Sequence, residues 1–270
     1  MRLKVLACET LFREVYRAAS ESPHVCDIKL LPRALHDDLS LMRETLQEEV
    51  ALTNTTSRKE ADLPGVHCPV CAEGEYNAVI LAMGLCGNTT LGLQAGRAPL
   101  ALPRVHDCHG LLLGGNSQYL DEEKRTVFYH QGAVERLGAA RVDAVPRRFG
   151  LGRTLAEYIR QYGEDNGRYI YEMEHRFAQY NDRALFIYRE DLHDVRMRCE
   201  EEVREYAAQF GWAVVPVPVR MGLIRRLLSG DWESDEVIVV PPGETLDVVV
   251  GKDGSIARRQ SIGSNLNSTL

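Results

Sequence analysis

Three cysteines occupy equivalent places along the 270-residue chain. Cys8, Cys86 and Cys108 each fall shortly after a run that reads as a β-strand. In an open α/β sheet, ligands bind at the carboxyl ends of the strands, where helix N-termini favour anions and thiolates. Three thiols meeting there form a soft donor set, suited to Zn²⁺ with an open fourth position or to an iron–sulfur cluster with an incomplete protein shell. Glu9, His106 and Asp107 stand beside them in sequence as candidate acid–base groups, with His109 and Asn88 close by. Gly84, Gly87, Asn88 and His36 are candidates for holding a bound group, because glycine beside a strand end permits tight turns and close backbone approach. The same thiols also suit a second use, since free cysteine packs well as a small apolar residue in sheet cores.

The remaining cysteines carry less. The total of seven is odd and spread over a long chain, which points to reduced thiols. His67-Cys68-Pro69-Val70-Cys71 contains a C-x-x-C, but it lies in a polar loop and has no second pair at zinc-site spacing. Cys26 and Cys199 fall inside a strand and a helix. Gly84-Leu85-Cys86-Gly87-Asn88 matches neither G-x-G-x-x-G nor the P-loop, and no G-x-S-x-G is present. A Cys–His nucleophile pair, Cys86 or Cys108 with His106, is chemically conceivable. Arg220, Arg225 and Arg226, like Arg147-Arg148, fit a solvated surface better than an anion site.

The elements that must position these groups follow from the apolar pattern. Residues 2–7 read as a strand, 9–22 as a helix, 25–31 as a strand, and 39–50 as a helix with acids at its start. Residues 53–75 read as a loop. Ala78 to Ala82 is a continuous apolar run suited to a parallel strand covered on both faces. A short helix over 91–96, a strand over 99–103 and a helix from Cys108 complete four βα units, predicting a Rossmann-like, doubly wound, mostly parallel sheet. The second half is more helical, with helices over 155–162, 169–182, 193–210 and 221–228 and strands over 184–188, 212–217 and 237–240. The sequence thus divides into a half at 1–125 carrying the cysteines, a second α/β half at 126–252, and a flexible tail at 253–270.

Composition narrows the function classes. Thirty-nine acidic against 32 basic residues give a net charge of −7, which argues against nucleic acid as a partner. No window offers the roughly 18 to 20 apolar residues of a membrane span, so no membrane is expected and the location expected is cytoplasmic. Val5-Leu6-Ala7-Cys8 imitates a lipoprotein cleavage box, but the apolar run before it is too short for a signal peptide.

At these residues the chain resembles the domain of unknown function 1638 family, common in anaerobes and methanogens. The likeness rests on Ala7-Cys8-Glu9, Leu35-His36-Asp37-Asp38, Gly84-Leu85-Cys86-Gly87-Asn88 and Pro103-Arg104-Val105-His106-Asp107-Cys108. Leu111-Leu112-Leu113-Gly114, Leu227-Leu228-Ser229-Gly230-Asp231-Trp232 and Pro241-Pro242-Gly243 extend it. The resemblance implies a setting in anaerobic one-carbon metabolism, with a corrinoid protein or methyltransferase as a partner, but no established reaction. Two function classes follow. One is a metal–thiolate enzyme transferring a methyl or other small group to or from a small-molecule substrate. The other is a non-catalytic accessory protein binding a metal, a corrinoid or a small ligand for a methyltransferase.

Overall fold

The computed structural model describes residues 1–53, 76–116, 125–142 and 154–259. The fold is α/β with a mostly parallel, mixed sheet. The chain forms two compact units, each built from separated segments. The first comprises the described residues of Met1–Glu9, Tyr16–Cys108 and Ile224–Leu270; the second comprises those of Thr10–Val15 and His109–Leu223. The units therefore interleave in sequence, whereas the apolar pattern suggested one cut near residue 125.

The first unit is organised by a five-stranded sheet. Its strands are β1 (Arg2–Cys8), β2 (Val25–Leu31), β3 (Ala78–Ala82), β4 (Leu100–Pro103) and β8 (Val237–Val240), in the order β2-β1-β3-β4-β8. The first four are parallel, with Leu6 opposite both Lys29 and Leu81. β3 is buried along its whole length, as a central parallel strand should be. Val237–Val240, expected in a second α/β half, instead pairs antiparallel with β4. From β1 the chain winds outward to β2, then returns to the other side for β3. This reversal makes the gap between the carboxyl ends of β1 and β3 a topological switch point.

Helix α1 (Phe12–Glu21) follows the 3₁₀ turn Glu9–Leu11, and α2 (Leu39–Leu52) follows the 3₁₀ turn Arg33–Asp37. Asp38 caps α2, its carboxylate accepting from the amides of Ser40 and Leu41. Leu46, Val50, Leu81, Leu93, Leu102 and Val240 lie among the buried core of this unit. Leu91 to Gly96, expected as a helix, is instead a run of turns ending in an isolated bridge between Gln94 and Thr245. The Gln47 side-chain amide bonds both backbone groups of Gln94, and Gly92 sits at φ +82°, so these residues are held outside helical geometry. β9 (Val248–Val250) and β10 (Ile256–Arg258) form an antiparallel hairpin, so the part of the expected tail that is described contains a strand.

The second unit holds a three-stranded parallel sheet of β5 (Thr126–His130), β6 (Arg183–Tyr188) and β7 (Ala213–Pro218), in that order. β5 was not anticipated; its apolar residues Val127 and Tyr129 are embedded between a charged stretch and His130. The helix Gln131–Leu137 follows β5, and His193–Ala208 packs Cys199, Val203 and Ala207 into the core with Tyr129, Phe186 and Trp212. Among the described residues, no helix is long and apolar enough to cross a membrane.

Candidate functional site

The carboxyl end of β1 delivers Cys8 and Glu9, and the chain beyond β3 delivers Gly84 to Asn88. Close contact of backbone with backbone aligns the second of these segments with the residues after β4. Gly84 lies so near Asp107 that an added Cβ would stand 2.5 Å from the Asp107 Cα and N. Only glycine leaves room for this approach. The Leu85 amide then donates to the Val105 carbonyl at 3.0 Å, and the Cys86 amide to the His106 carbonyl at 2.8 Å. These bonds continue the pairing of β3 with β4 beyond the strands themselves.

The turn that follows is left-handed at three consecutive residues: Cys86 (φ +47°), Gly87 (φ +69°) and Asn88 (φ +69°). Two of the three are not glycine, so the turn carries a backbone cost that its surroundings must offset. Buried Thr89 contributes, its hydroxyl donating to the carbonyl of Cys86 at 3.1 Å. Arg43 of α2 adds an Nη2 bond to the Asn88 carbonyl at 3.2 Å. Strain of this kind concentrates at functional sites.

Its effect is to bring the three cysteines together. The Cys108 thiol is in hydrogen-bonding contact with the thiols of both Cys8 and Cys86. None of the three is in a disulfide among the described residues; Cys86 is buried, and Cys8 and Cys108 are half-buried. Cys86 and Cys108 also share the apolar core of the first unit. The contact with Cys8 favours the Cys108 thiolate. The contact with Cys86, burial, and the negative surroundings of Cys86 and Asp107 outweigh it and hold Cys108 well above the ordinary thiol range. At neutral pH Cys108 therefore keeps its proton. The trio is linked through Cys108, and among the described residues no three His, Cys, Asp or Glu side chains are disposed as a metal-ligand set.

The other sequence candidates lie on the same segments or on neighbouring ones, with contacts of their own. The Glu9 carboxylate accepts from the Arg33 amide at 2.7 Å, tying the end of β1 to the turn after β2. His106 Nε2 lies 2.7 Å from the Gly254 carbonyl, within the β9–β10 hairpin. Asp107 is half-buried, pressed against Gly84 and contributing to the electrostatics of Cys108. Gly87 and Asn88 are exposed. His36 is half-buried in the 3₁₀ turn Arg33–Asp37, next to Leu35, which packs on the same apolar cluster as Cys86 and Cys108. Cys68, Cys71 and Arg147-Arg148 lie outside the described residues. Cys26 and Cys199 point their thiols at backbone carbonyls, of His24 at 3.7 Å and Gln131 at 3.9 Å, and burial raises both.

A polar cluster in the second unit escaped the sequence reading. Glu14, 2% exposed, has an Oε2 atom without a hydrogen-bond partner among the described residues. Burial raises its carboxyl to about 7, against the pull of a backbone amide, Arg189 and Arg13. Arg189 bridges the cluster: its amide donates to Gln131 Oε1 at 3.0 Å and its Nη1 to the Arg13 carbonyl at 3.0 Å. Arg13 pairs with Glu135, and Arg189 with Asp191. The signal available in sequence was spacing, because Glu14 sits three residues after Leu11 and one before Val15, on the apolar face of the first helix.

Comparison with curated proteins and with solved structures finds no match. A family model described as Protein of unknown function (DUF1638) matches residues 30–228.

Proposed function

Because the chain belongs to the DUF1638 family, whose description names no reaction, its chemistry must be read from its own residues, and we propose that the Cys8–Cys86–Cys108 trio is a metal–thiolate site serving methyl or other small-group transfer in anaerobic one-carbon metabolism. The observation that carries this reading is the contact of Cys108 with both other thiols at the switch point of the parallel sheet. Three sulfur donors select soft or borderline ions, so Zn²⁺ or an iron–sulfur cluster is the group they would hold. A thiolate-bound ion of this kind keeps a substrate thiol ionised and nucleophilic near neutral pH.

The chain's own residues supply the rest. Cys108 would surrender the proton it keeps in the metal-free trio, so metal uptake releases protons and tightens as pH rises. Glu9, through Arg33, fixes the end of β1; His106 and Asp107 flank Cys108 as orienting or proton-carrying groups. The half-buried positions of Cys8 and Cys108 leave an approach for a small-molecule substrate, or for the corrinoid of a partner protein.

The test is elemental analysis of anaerobically purified protein beside a Cys86→Ser variant. Stoichiometric zinc or iron that falls in the variant is the expected result. Protein that contains and takes up neither metal, with the variant unchanged, would refute the metal site. Assay with methyl donors and thiol acceptors then separates the two classes. Turnover marks an enzyme, and binding without turnover marks an accessory protein of a methyltransferase.

A further inference from the structure

The same three thiols have a second chemistry open to them. Thiol–disulfide exchange needs two sulfurs near enough to join after a small side-chain movement, and at least one of them within reach of an external disulfide. Cys8 and Cys108 meet both conditions, being in mutual contact and only half-buried, whereas Cys86 is buried and itself part of the left-handed turn. We infer that Cys8 and Cys108 form a dithiol–disulfide couple that exchanges with small-molecule disulfides of the glutathione type, Cys86 remaining reduced. The inference rests on the trio being the working site but not on its holding a metal.

The exchange balances without another reactant. The Cys8 thiol gives its proton to solvent and its sulfur attacks one sulfur of the external disulfide; a Cys8–glutathione bond forms, and the other glutathione leaves as thiolate and takes up a proton from solvent. The Cys108 sulfur then gives its proton to solvent and attacks the Cys8 sulfur. The second glutathione departs as its thiol and the Cys8–Cys108 bond remains. The protein loses two hydrogens, and one glutathione disulfide becomes two glutathione molecules. Metal binding and oxidation exclude each other, since a sulfur shared in a disulfide is no longer available as a thiolate ligand.

The experiment equilibrates metal-free, full-length protein with glutathione and glutathione disulfide at graded ratios. Alkylation, digestion and mass spectrometry then identify which sulfurs are joined. The expected outcome is a Cys8–Cys108 linked peptide, retained in Cys86→Ser. In Cys108→Ser it is lost, and Cys8 is trapped as the glutathione adduct. Far-ultraviolet circular dichroism of each variant checks that it is folded. Trio thiols that stay reduced at every ratio, or a link persisting between other trio members in Cys108→Ser, would overturn the inference. Zinc uptake by the reduced protein is measured on the same samples. Intact uptake with no disulfide sinks the exchange chemistry alone, and a disulfide with no uptake sinks the metal reading alone.

Discussion

The two parallel sheets of this protein end differently. In the five-stranded sheet the order of winding reverses between β1 and β3, and Cys8 and Cys86 stand at the end of or just beyond these two strands, with Cys108 in contact with both. In the three-stranded sheet the strands follow one another in sequence order without reversal among the described residues, and the residues after β5 and β6 are Gln131 and Arg189, in a buried polar cluster with Glu14. A switch point leaves a crevice that side chains need not fill. The sheet wound in one direction carries a polar cluster at this end that is only partly satisfied from within: Arg189 bonds Gln131 and Arg13, while Glu14 Oε2 and Gln131 Nε2 have no hydrogen-bond partner among the described residues. The contrast is between soft groups gathered for exchange with a ligand and hard groups gathered for one another.

Each end depends on one glycine, and the largest effects are expected there. Gly84→Ala forces a Cβ into the Asp107 backbone, and Gly132→Ala forces one into the Thr10 carbonyl oxygen. Each should cost about 3 kcal/mol, the upper part of the range for overpacking, because the overlap is with backbone and not with a side chain that can turn away. Urea denaturation measures the loss in both. Only Gly84→Ala should also change the alkylation rates of Cys8 and Cys108; equal changes in both variants would erase the distinction between the two ends.

The second effect belongs to Glu14. Its carboxyl is raised from 4.5 to about 7 in the folded protein. Well below pH 4.5 it is protonated in both states and makes no difference. Above that pH the unfolded chain ionises first, so stability falls as pH rises, then levels off beyond pH 7. A shift of this size corresponds to about 3 kcal/mol. Glu14→Gln should remove the penalty, leaving the variant more stable than the parent at pH 8 and equal to it near pH 4 by denaturant titration. A variant less stable at pH 8 would show that the ionised carboxylate is wanted in that cluster.

The smallest effect sharpens the thiol end. Asp38→Ala removes the cap of α2, whose first residue, Leu39, stands 3.7 Å from where a Cβ added at Gly87 would sit. A loss of about 1 kcal/mol is expected, read from the thermal midpoint, with the fold retained.

Much of the first unit was legible because its strands are continuous apolar runs and its helices carry regular spacing. The cysteines could be assigned to strand ends from those runs alone. Their meeting could not, because it depends on Gly84 fitting against Asp107, a long-range contact that no local pattern records. The pairing of β8 with β4 was not legible for a related reason: Val237 to Val240 is a good strand by composition, and composition carries no information about its neighbour. The turns at 91–96 were misread because Gln47, far off in sequence, supplies their hydrogen bonds. Glu14 was passed over because a single acid on an apolar helix face looks like an interruption of the face, and only the fold brings Arg189 near it.

The antiparallel strand at the edge of the first sheet has a consequence for the order of assembly. Val237–Val240 reaches β4 only after the whole of residues 104–236 has been made. Every segment of the second unit, from Thr10 to Leu223, precedes it. Loop closure over such a separation is slow, and domains made earlier fold earlier during synthesis. On the ribosome, the unit that begins the chain is therefore the one finished last. The sheet that positions Cys8, Cys86 and Cys108 is complete only when that final strand arrives.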